Sequence, residues 1–461
     1  MKALYRRGAC ELASLIASGE VSSREVVEAH LERIEEVNDH TNAITVVLAD
    51  SALAAADAAD RATKRGPLHG VPFTIKENID CVGSATTHGV MALQHSFPSQ
   101  DAPVVERMKA AGAIPIGRTN LPEFGLRLST SNPLHGATLN PWNPHLTPGG
   151  SSGGDAAALA TGMTPFGLGN DIGGSLRNPA YCCGIAALKP TLGRIPRASS
   201  IEPLDFGASM QYMLVDGPMA RKVEDLRMGL DILSGRDIRD PRSVDVPLRG
   251  EPPVLPRAAL VTKVPGVTIP KVTLETLYRA GKILTEAGWV VEEAEPPEIE
   301  EAHRIWGQLF AVDFSVTVPQ MKSMISVELY EHMQRMFDSF AEPGWTNYRI
   351  HATRSRLIRS WSAFFAQYPV VIGPTWTQLP WPVDADLAAG TGLALLHNTT
   401  KFITPGNVLG FPSVALPMDV VDDMPTGIQI YSDLWREDLC LDVAELLESE
   451  VDAMVPIDPA W

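Results

Sequence analysis

The amino-acid sequence predicts an α/β fold: one large domain with a central mixed sheet covered by helices on both faces. Short apolar runs typical of buried strands alternate along the chain with amphipathic segments of helical period. No internal repeat and no low-complexity linker divides the 461 residues. These observations favour one continuous domain over 1–461 rather than several separate ones.

Three helices open the chain, and strands then alternate with helices towards its end. The sequence SSRE at 22–25 is typical of a capping box at the start of the second helix, and Gly-Pro at 66–67 ends the third. Helices are predicted near 9–19, 22–38, 50–64, 101–111, 155–162, 222–234, 272–287, 345–366 and 435–449. Strands are predicted near 71–78, 113–119, 164–171, 258–262, 288–293, 369–373, 412–417 and 427–431. Such alternation indicates a parallel or mixed sheet with helices on both faces.

Residues 296–345 differ from the rest of the chain because they carry no strand signal. Aromatic residues and methionines, among them Trp306, Phe310, Phe314 and Met321, recur there at helical spacing. We expect a helical excursion from the sheet that forms one wall of a pocket. The alternative is an ordinary stripe of core residues.

Composition and charge exclude several classes of function. The chain has 38 basic and 55 acidic residues, a net charge of −17, which repels phosphate backbones and anionic membrane surfaces. No run of eighteen apolar residues occurs. The five cysteines lack CxxC spacing, which argues against a disulfide scaffold or a zinc site. We expect a cytoplasmic protein that uses no metal and binds neither nucleic acid nor membrane.

Two glycine-serine segments, GGSSGG at 149–154 and GNDIGGS at 169–175, are the most unusual part of the sequence. Such glycine density indicates positive φ angles or a close approach of the backbone to something. A phosphate-binding loop is disfavoured because no lysine follows either cluster. A nucleophile elbow is disfavoured because proline-rich sequence, and no strand, precedes GGSSG.

A serine relay with a lysine base is the third interpretation. Ser175 follows a predicted strand and two glycines, so backbone N–H groups would converge beside its hydroxyl, where acyl transfer develops an oxyanion. Serine needs a base to become a nucleophile, and no histidine forms an obvious pair with these motifs. Lys76 follows the apolar run VPFTI, and a buried lysine loses its charge easily. Ser151 would carry the proton from Ser175 to Lys76.

Several sequence blocks in a fixed order resemble the amidase signature family of Ser-Ser-Lys hydrolases. They are HGVPFTIKEN at 69–78, GRTNLPEFG at 117–125, LNPWNP at 139–144, GGSSGG at 149–154, DIGGSLRNPA at 171–180, GIAALKPT at 184–191, GPMAR at 217–221 and NVLGFPSVALP at 407–417. The resemblance covers most of the chain and is densest in a signature core over about 66–197. It implies the amidase signature fold.

The resemblance also implies a role for each catalytic position. Lys76 would be the general base and later the acid, Ser151 the bridging serine on a cis peptide bond, and Ser175 the acylated nucleophile. The backbone N–H groups of Ile172, Gly173 and Gly174 would form the oxyanion hole. Supporting positions in the loops match Ser152, Asp171 and Arg177. No cofactor or metal is implied.

The sequence departs from the family pattern near these positions. Asn170 replaces the small hydroxyl residue usual before the aspartate, and the sequence Tyr-Cys-Cys at 181–183 replaces a serine-aromatic-cysteine run. Neither departure touches Lys76, Ser151 or Ser175. The packing of the loops is therefore expected to differ while the catalytic groups stay.

Substrate specificity is expected from the segments that wall the pocket, near 124–131 and in a helical region over about 296–400. Candidate substrate-binding residues there are Phe124, Leu126, Ser129, Phe310 and Trp376. This apolar and aromatic lining predicts hydrolysis of a small apolar or aryl amide to a carboxylic acid and ammonia or an amine. For Trp376, ordinary packing within a loop is an equal alternative to lining the mouth of the pocket.

Two other functions remain open from the sequence. One is the glutamine-amidase subunit of a tRNA-dependent amidotransferase, although the Glu-Val-Lys-Arg-Arg run of that subunit is absent before 369. The other is a non-catalytic relative that only binds amides, which retention of Lys76, Ser151 and Ser175 disfavours. The expected partner is a small-molecule amide, and base rates for soluble enzymes make a homodimer the expected assembly.

Overall fold

The computed structural model describes residues 3–461 except 203, 205, 343, 452–455 and 460. The α-helices are α1 Ala9–Ser18, α2 Ser23–Thr41, α3 Ala49–Arg61, α4 Pro103–Ala110, α5 Gly153–Ala160, α6 Arg177–Cys183, α7 Ala208–Met213, α8 Val223–Leu233, α9 Lys271–Glu286, α10 Ile299–Met321, α11 Val327–Phe340, α12 Asn347–Phe365, α13 Gly392–Thr400, α14 Pro405–Leu409 and α15 Glu437–Ser449.

The β-strands are β1 Ile44–Val47, β2 Pro72–Lys76, β3 Ile114–Thr119, β4 Ser131–Asn132, β5 Gly136–Ala137, β6 Phe166–Asp171, β7 Ala186–Lys189, β8 Val215–Ala220, β9 Arg257–Leu260, β10 Val290–Glu293, β11 Val370–Pro374, β12 Ser413–Val421 and β13 Met424–Tyr431.

Among the residues that the model describes, eleven strands form one mixed sheet in the order β1-β3-β2-β6-β8-β7-β12-β13-β11-β9-β10. Strands β3, β2 and β6 run parallel to one another, as do β11, β9 and β10. The strands between these two groups are antiparallel, from the β6–β8 pair to the β13–β11 pair. Strands β4 and β5 form a separate two-stranded ribbon.

Successive side chains of the central strands pack in cores on opposite faces of the sheet, because side chains alternate between the two faces along a strand. In β7, Leu188 belongs to the core on one face and Ala187 to the core on the other, and Val414 and Ala415 of β12 divide in the same way. One face packs against α1, α4, α8, α9 and α15. The other packs against α5 and α6 at its centre, α2 and α3 towards β1, and α10–α12 towards β10. The predicted α/β class, with a mixed sheet covered on both faces, is confirmed.

Each predicted helix and strand is present with shifts of a few residues at its ends, but several elements were not predicted. The central strand β8 contains Pro218, which lies opposite Leu168 of β6; a proline normally argues against a central strand. Strands β12 and β13 form a hairpin longer than predicted. Its turn places Asp422 and Asp423 at φ of 50° and 60°, the left-handed geometry that a two-residue hairpin turn needs.

The aromatic segment is helical, as its spacing predicts, and divides into α10 and α11. Trp306, Phe310 and Phe314 of α10 lie in the same core as Met333 and Phe337 of α11. Within the described ranges, no helix combines the length and the apolar character needed to cross a membrane.

Candidate active site

Lys76 is the last residue of β2 and is completely buried between β3 and β6. Its Nζ lies 2.7 Å from Ser151 Oγ and 2.8 Å from Asn170 Oδ1. The structure therefore brings together two of the three predicted catalytic side chains, which are 75 residues apart in sequence.

Burial lowers the pKa of Lys76 to about 7. The carboxyl groups of Asp155, Asp171 and Asp216 oppose this shift, because negative charge stabilises the ammonium form. A lysine so shifted is substantially neutral near pH 7, and only the neutral amine has the lone pair that accepts a proton. The site can thus hold a general base without a histidine.

Ser151 lies on the loop between Gly149 and the start of α5, after a cis peptide bond to Gly150. The loop passes other backbone segments closely. A Cβ at Gly149 would lie 2.6 Å from Pro179 Cα, and one at Gly150 would lie 2.7 Å from the carbonyl oxygen of Arg127. Glycine at both positions is therefore a consequence of backbone contact, not of a phosphate site.

Ser175 lies between β6 and α6 and is 4% exposed. Its carbonyl oxygen accepts a hydrogen bond of 3.2 Å from the N–H of Ser152, which fastens the two glycine-rich loops to each other. Within the described part of the chain, no hydrogen bond joins the Ser175 and Ser151 hydroxyls. Catalytic hydrogen bonds are often long in enzymes without substrate and shorten when substrate binds.

The backbone between Asp171 and Ser175 presents unpaired donors. The N–H groups of Ile172, Gly173 and Ser175 donate to no atom of the described residues, whereas Gly174 N–H lies 2.7 Å from Asp171 Oδ1. Of the three predicted donors, the Gly174 N–H is thus directed to a carboxylate. Gly174 has φ of +100°, a conformation that favours glycine.

Asp171 and Arg177 form a fully buried ion pair beneath this loop, with Nε 3.0 Å from Oδ2. Asn407 Nδ2 donates to Oδ1 at 2.7 Å. Burial alone would raise the pKa of Asp171, but the Arg177 guanidinium and these hydrogen bonds lower it to about 2. Tyr431 accepts from Arg177 Nη1 at 2.8 Å, so the pair is also bound to β13.

Asn178 was not identified from the sequence, although it contacts both loops. Its Nδ2 donates to the carbonyl oxygens of Gly150 at 3.1 Å and Gly173 at 3.2 Å. Its Oδ1 accepts from Trp376 Nε1 at 2.7 Å. The indole can only donate, so it fixes the orientation of the Asn178 amide. A motif pattern does not reveal this contact, because Trp376 comes from a distant segment.

Trp376, predicted either to line the pocket or to pack as part of a loop, is enclosed by other side chains. It is 0% exposed, and its ring stacks on Trp381 with centroids 4.4 Å apart. Trp376 thus packs in the interior and orients Asn178 through the hydrogen bond to its Oδ1.

The other candidate substrate residues are Phe124, Leu126, Ser129 and Phe310. Phe124 and Leu126 are half-buried beside Gly125, where an added Cβ would lie 3.1 Å from Ser151 Oγ. Ser129 is fully buried, and its Oγ has no partner among the described residues. Phe310 packs edge-on against Trp306, with centroids 4.9 Å apart.

The remaining supporting position is Ser152, the residue before α5, which is fully buried. Its Oγ lies 3.5 Å from the carbonyl oxygen of Asn170, at the limit of a hydrogen bond. Asn170 also donates to Asn78 Oδ1 at 2.8 Å. The residue that departs from the family pattern thus links Lys76 to the loop after β2.

Comparison with known proteins places the chain in a class of enzyme. The amidase family matches residues 25–441, so the chain belongs to the amidase signature family and hydrolyses amides. An indoleacetamide hydrolase of Bradyrhizobium diazoefficiens is 39% identical over 98% of this chain and 88% of its own. The solved structure of a 6-aminohexanoate cyclic dimer hydrolase with substrate has a TM-score of 0.85 and 26% identity, covering 99% of both chains.

One subunit of the glutamyl-tRNA(Gln) amidotransferase of Chloroflexus aurantiacus is 31% identical over 90% of each chain. The greater similarity to the hydrolase makes the amidotransferase alternative less favoured. The predicted family, fold and amidase activity are confirmed.

Proposed function

We propose that this amidase hydrolyses small aryl-acetamides by a serine acyl-enzyme mechanism in which Ser175 is the nucleophile. The observation that carries the proposal is the 2.7 Å contact between Ser151 Oγ and a buried, readily neutral Lys76. Ser151 accepts the proton of Ser175 and passes its own to Lys76 Nζ, while Ser175 Oγ bonds to the carboxamide carbon.

The oxyanion that forms accepts hydrogen bonds from the unpaired N–H groups of Ile172 and Gly173, with that of Ser175 as a third donor. Such donors act without reorganisation, because the backbone already directs them. Lys76 then returns its proton through Ser151 to the departing nitrogen, and the C–N bond breaks. Water adds to the acyl-enzyme by the same relay, and the carboxylic acid and Ser175 are released.

Two observations support the preference for an aryl-acetamide: the aromatic side chains near the site and the similarity to an indoleacetamide hydrolase. Phe124 and Leu126 flank Gly125, which lies beside Ser151, and Trp306 contacts the oxyanion loop with Phe310 packed against its ring. A flat aromatic acyl group gains contact with such rings, whereas a charged amino acid finds no buried partner among them. An indoleacetamide hydrolase is the relative at 39% identity.

We further propose that 1–461 is one amidase domain, with the signature core at about 66–197 and the substrate wall at about 296–400. Free cysteines, four of them buried, support a reducing cytoplasm as its location. The proposed acting unit is the chain itself, as a monomer or homodimer, on a small-molecule amide.

The test combines a fluorophosphonate probe with an amide panel of indoleacetamide, phenylacetamide, acetamide, an anilide, asparagine, glutamine and malonamate. Ser175→Ala is expected to lose both labelling and turnover. Ser23→Ala is a matched control, because Ser23 is also buried and its Oγ has no partner among the described residues. Labelling that survives in Ser175→Ala would place the nucleophile elsewhere, and turnover of asparagine but not of aryl amides would refute the substrate class.

A further inference from the structure

Trp306, on the helical wall, contacts the loop that carries the unpaired N–H groups. Its indole Nε1 lies 2.9 Å from the carbonyl oxygen of Ile172. A Cβ at Gly173 would lie 2.8 Å from Cζ2 of the ring. The wall therefore contacts the catalytic loop, residues 171–175, directly through the indole of Trp306.

The direction of that hydrogen bond fixes the direction of a neighbouring donor. In a trans peptide the C=O and the following N–H lie in one plane and point in opposite directions. With the Ile172 carbonyl held by Trp306, the N–H of Gly173 points away from the indole. That N–H has no partner among the described residues.

The next peptide along the loop is held differently. The carbonyl oxygen of Gly173 accepts from Asn178, and the N–H of Gly174 donates to Asp171, so this peptide is fixed at both ends. The Ile172–Gly173 peptide is fixed only at its carbonyl, by Trp306. A glycine adjoins its rotating bond, and glycine permits the dihedral change of a peptide flip. A flip would turn a carbonyl towards the oxyanion in place of a donor.

The indole of Trp306 is itself held in place by contacts with neighbouring aromatic side chains. His303 stacks on its ring with an interplanar angle of 12° and centroids 6.0 Å apart. Phe310 and Phe340 contact it edge-on at 4.9 Å and 5.9 Å. The indole is thus enclosed by side chains of α10 and α11, which leave it little freedom to move.

We propose that Trp306 is a positioning residue for catalysis: its indole N–H sets the orientation of the Ile172–Gly173 peptide and keeps the Gly173 N–H directed at the oxyanion. The inference rests on the proposed function, because it requires Ser175 to be the nucleophile. It assigns to the helical wall a part in transition-state stabilisation in addition to the binding of the acyl group.

The first test is Trp306→Phe, which keeps a ring and removes the donor. Loss of one oxyanion donor costs about 100-fold in kcat. We expect kcat for indoleacetamide to fall by about this factor, with little change in KM. The rate of fluorophosphonate labelling and the affinity for phenylboronic acid should fall by the same factor. The pH at half-maximal kcat/KM stays unchanged, because Lys76 is untouched.

The matched control is Trp361→Phe. Trp361 is buried like Trp306, and its Nε1 also donates to a backbone carbonyl, that of Pro297, at 2.7 Å. This variant is expected to react at the wild-type rate once folded. Equal losses in the two variants would show a general effect of tryptophan removal and overturn the proposal.

A second replacement separates the hydrogen bond from the packing of the ring. Substitution of Trp306 by β-(3-benzothienyl)alanine keeps the ring shape and lacks the N–H. A loss similar to that of Trp306→Phe supports the positioning role, and wild-type kinetics overturn it. Labelling of Ser175→Ala would instead refute the proposed nucleophile, so the two failures are distinguishable.

Discussion

The side-chain oxygen of Asn170 accepts a hydrogen bond of 2.8 Å from Lys76, on strands that are neighbours in the sheet. Asn170 Nδ2 donates to Asn78, which leaves Oδ1 as the group that faces the lysine. A neutral amine has two N–H donors and one lone pair. If one N–H is held by Asn170, the lone pair is free to face Ser151, as a base requires.

Replacement of Asn170 is expected to affect Lys76 in two distinct ways. Asn170→Asp places a negative charge beside Nζ, stabilises the ammonium form and raises the pKa of Lys76, so the acidic limb of kcat/KM moves to higher pH. Asn170→Ala removes the acceptor that orients the Lys76 amine. We expect kcat/KM to fall about tenfold, which is part of what a general base contributes to the rate. Asn347→Asp, at an exposed position, is the control of equal charge. An unshifted profile in Asn170→Asp would contradict this account.

The pH dependence of the enzyme should report Lys76 directly. Burial lowers its pKa to about 7, and the base is the deprotonated form, so kcat/KM should rise with pH through about 7 and then level. Lys76→Arg keeps the charge but cannot lose its proton, so it should be inactive at every pH. Rate measurements from pH 5 to 9 test this. A rate that still rises tenfold per pH unit up to pH 9, as for a base with the ordinary lysine pKa of ~10.4, would contradict the lowered pKa of Lys76.

Asp171 should contribute to stability in a way that depends on pH. Its folded pKa is about 2, below the usual value of ~3.9 in unfolded chains. The ionised Asp171 therefore contributes about 2 to 3 kcal/mol to the free energy of unfolding. This contribution is complete above pH ~3.9 and is lost as pH falls towards 2.

The measurement is thermal unfolding between pH 7 and pH 3 for the wild type and for Asp171→Asn. The variant should be less stable at pH 7 and should lose less stability on acidification. Asp419→Asn is the control, since Asp419 pairs with Arg279 at the surface and exposed pairs contribute about 0 to 1 kcal/mol. Parallel pH profiles for the wild type and Asp171→Asn would contradict the assignment.

Much of the fold and of the site is predictable because it depends on local pattern. The apolar run before Lys76 forms β2, and the two glycine segments form the loops that carry Ser151 and Ser175. Period and composition do not encode contacts between distant segments. The hydrogen bond from Trp306 to Ile172 spans 134 residues, and that from Trp376 to Asn178 spans 198.

The elements that the sequence did not reveal have similar physical causes. Pro218 lies inside β8, where the neighbouring strands hold a residue that local propensity would exclude. The short α6 begins at Arg177 and contains a proline in its first turn, so the segment looks like loop sequence. Tertiary packing determines the conformation of both segments, and the contacts that produce it cannot be derived from a single sequence.

A buried ion pair joins the wall to the segment that passes beside Gly150. Arg127, on the segment beside Gly150, binds Asp386 through Nε at 3.1 Å and Nη2 at 2.8 Å, and Nη2 also donates to the more exposed Asp384 at 2.5 Å. The side chains of Arg127 and Asp386 are almost fully buried. Removal of one partner from such a pair leaves an uncompensated charge and costs about 3 to 5 kcal/mol.

We expect Arg127→Met to lower the melting temperature strongly, because it leaves Asp386 buried without its partner, and the double variant with Asp386→Leu to recover most of the loss. Asp386→Leu alone should cost less, because Asp384 still pairs with Arg127. Replacement of both charges by apolar groups is often neutral for stability. Arg257→Met, which breaks an exposed pair with Glu292, is the control and should change little. Additive losses in the double variant would show that Arg127 and Asp386 stabilise the fold independently, because a shared interaction can be lost only once.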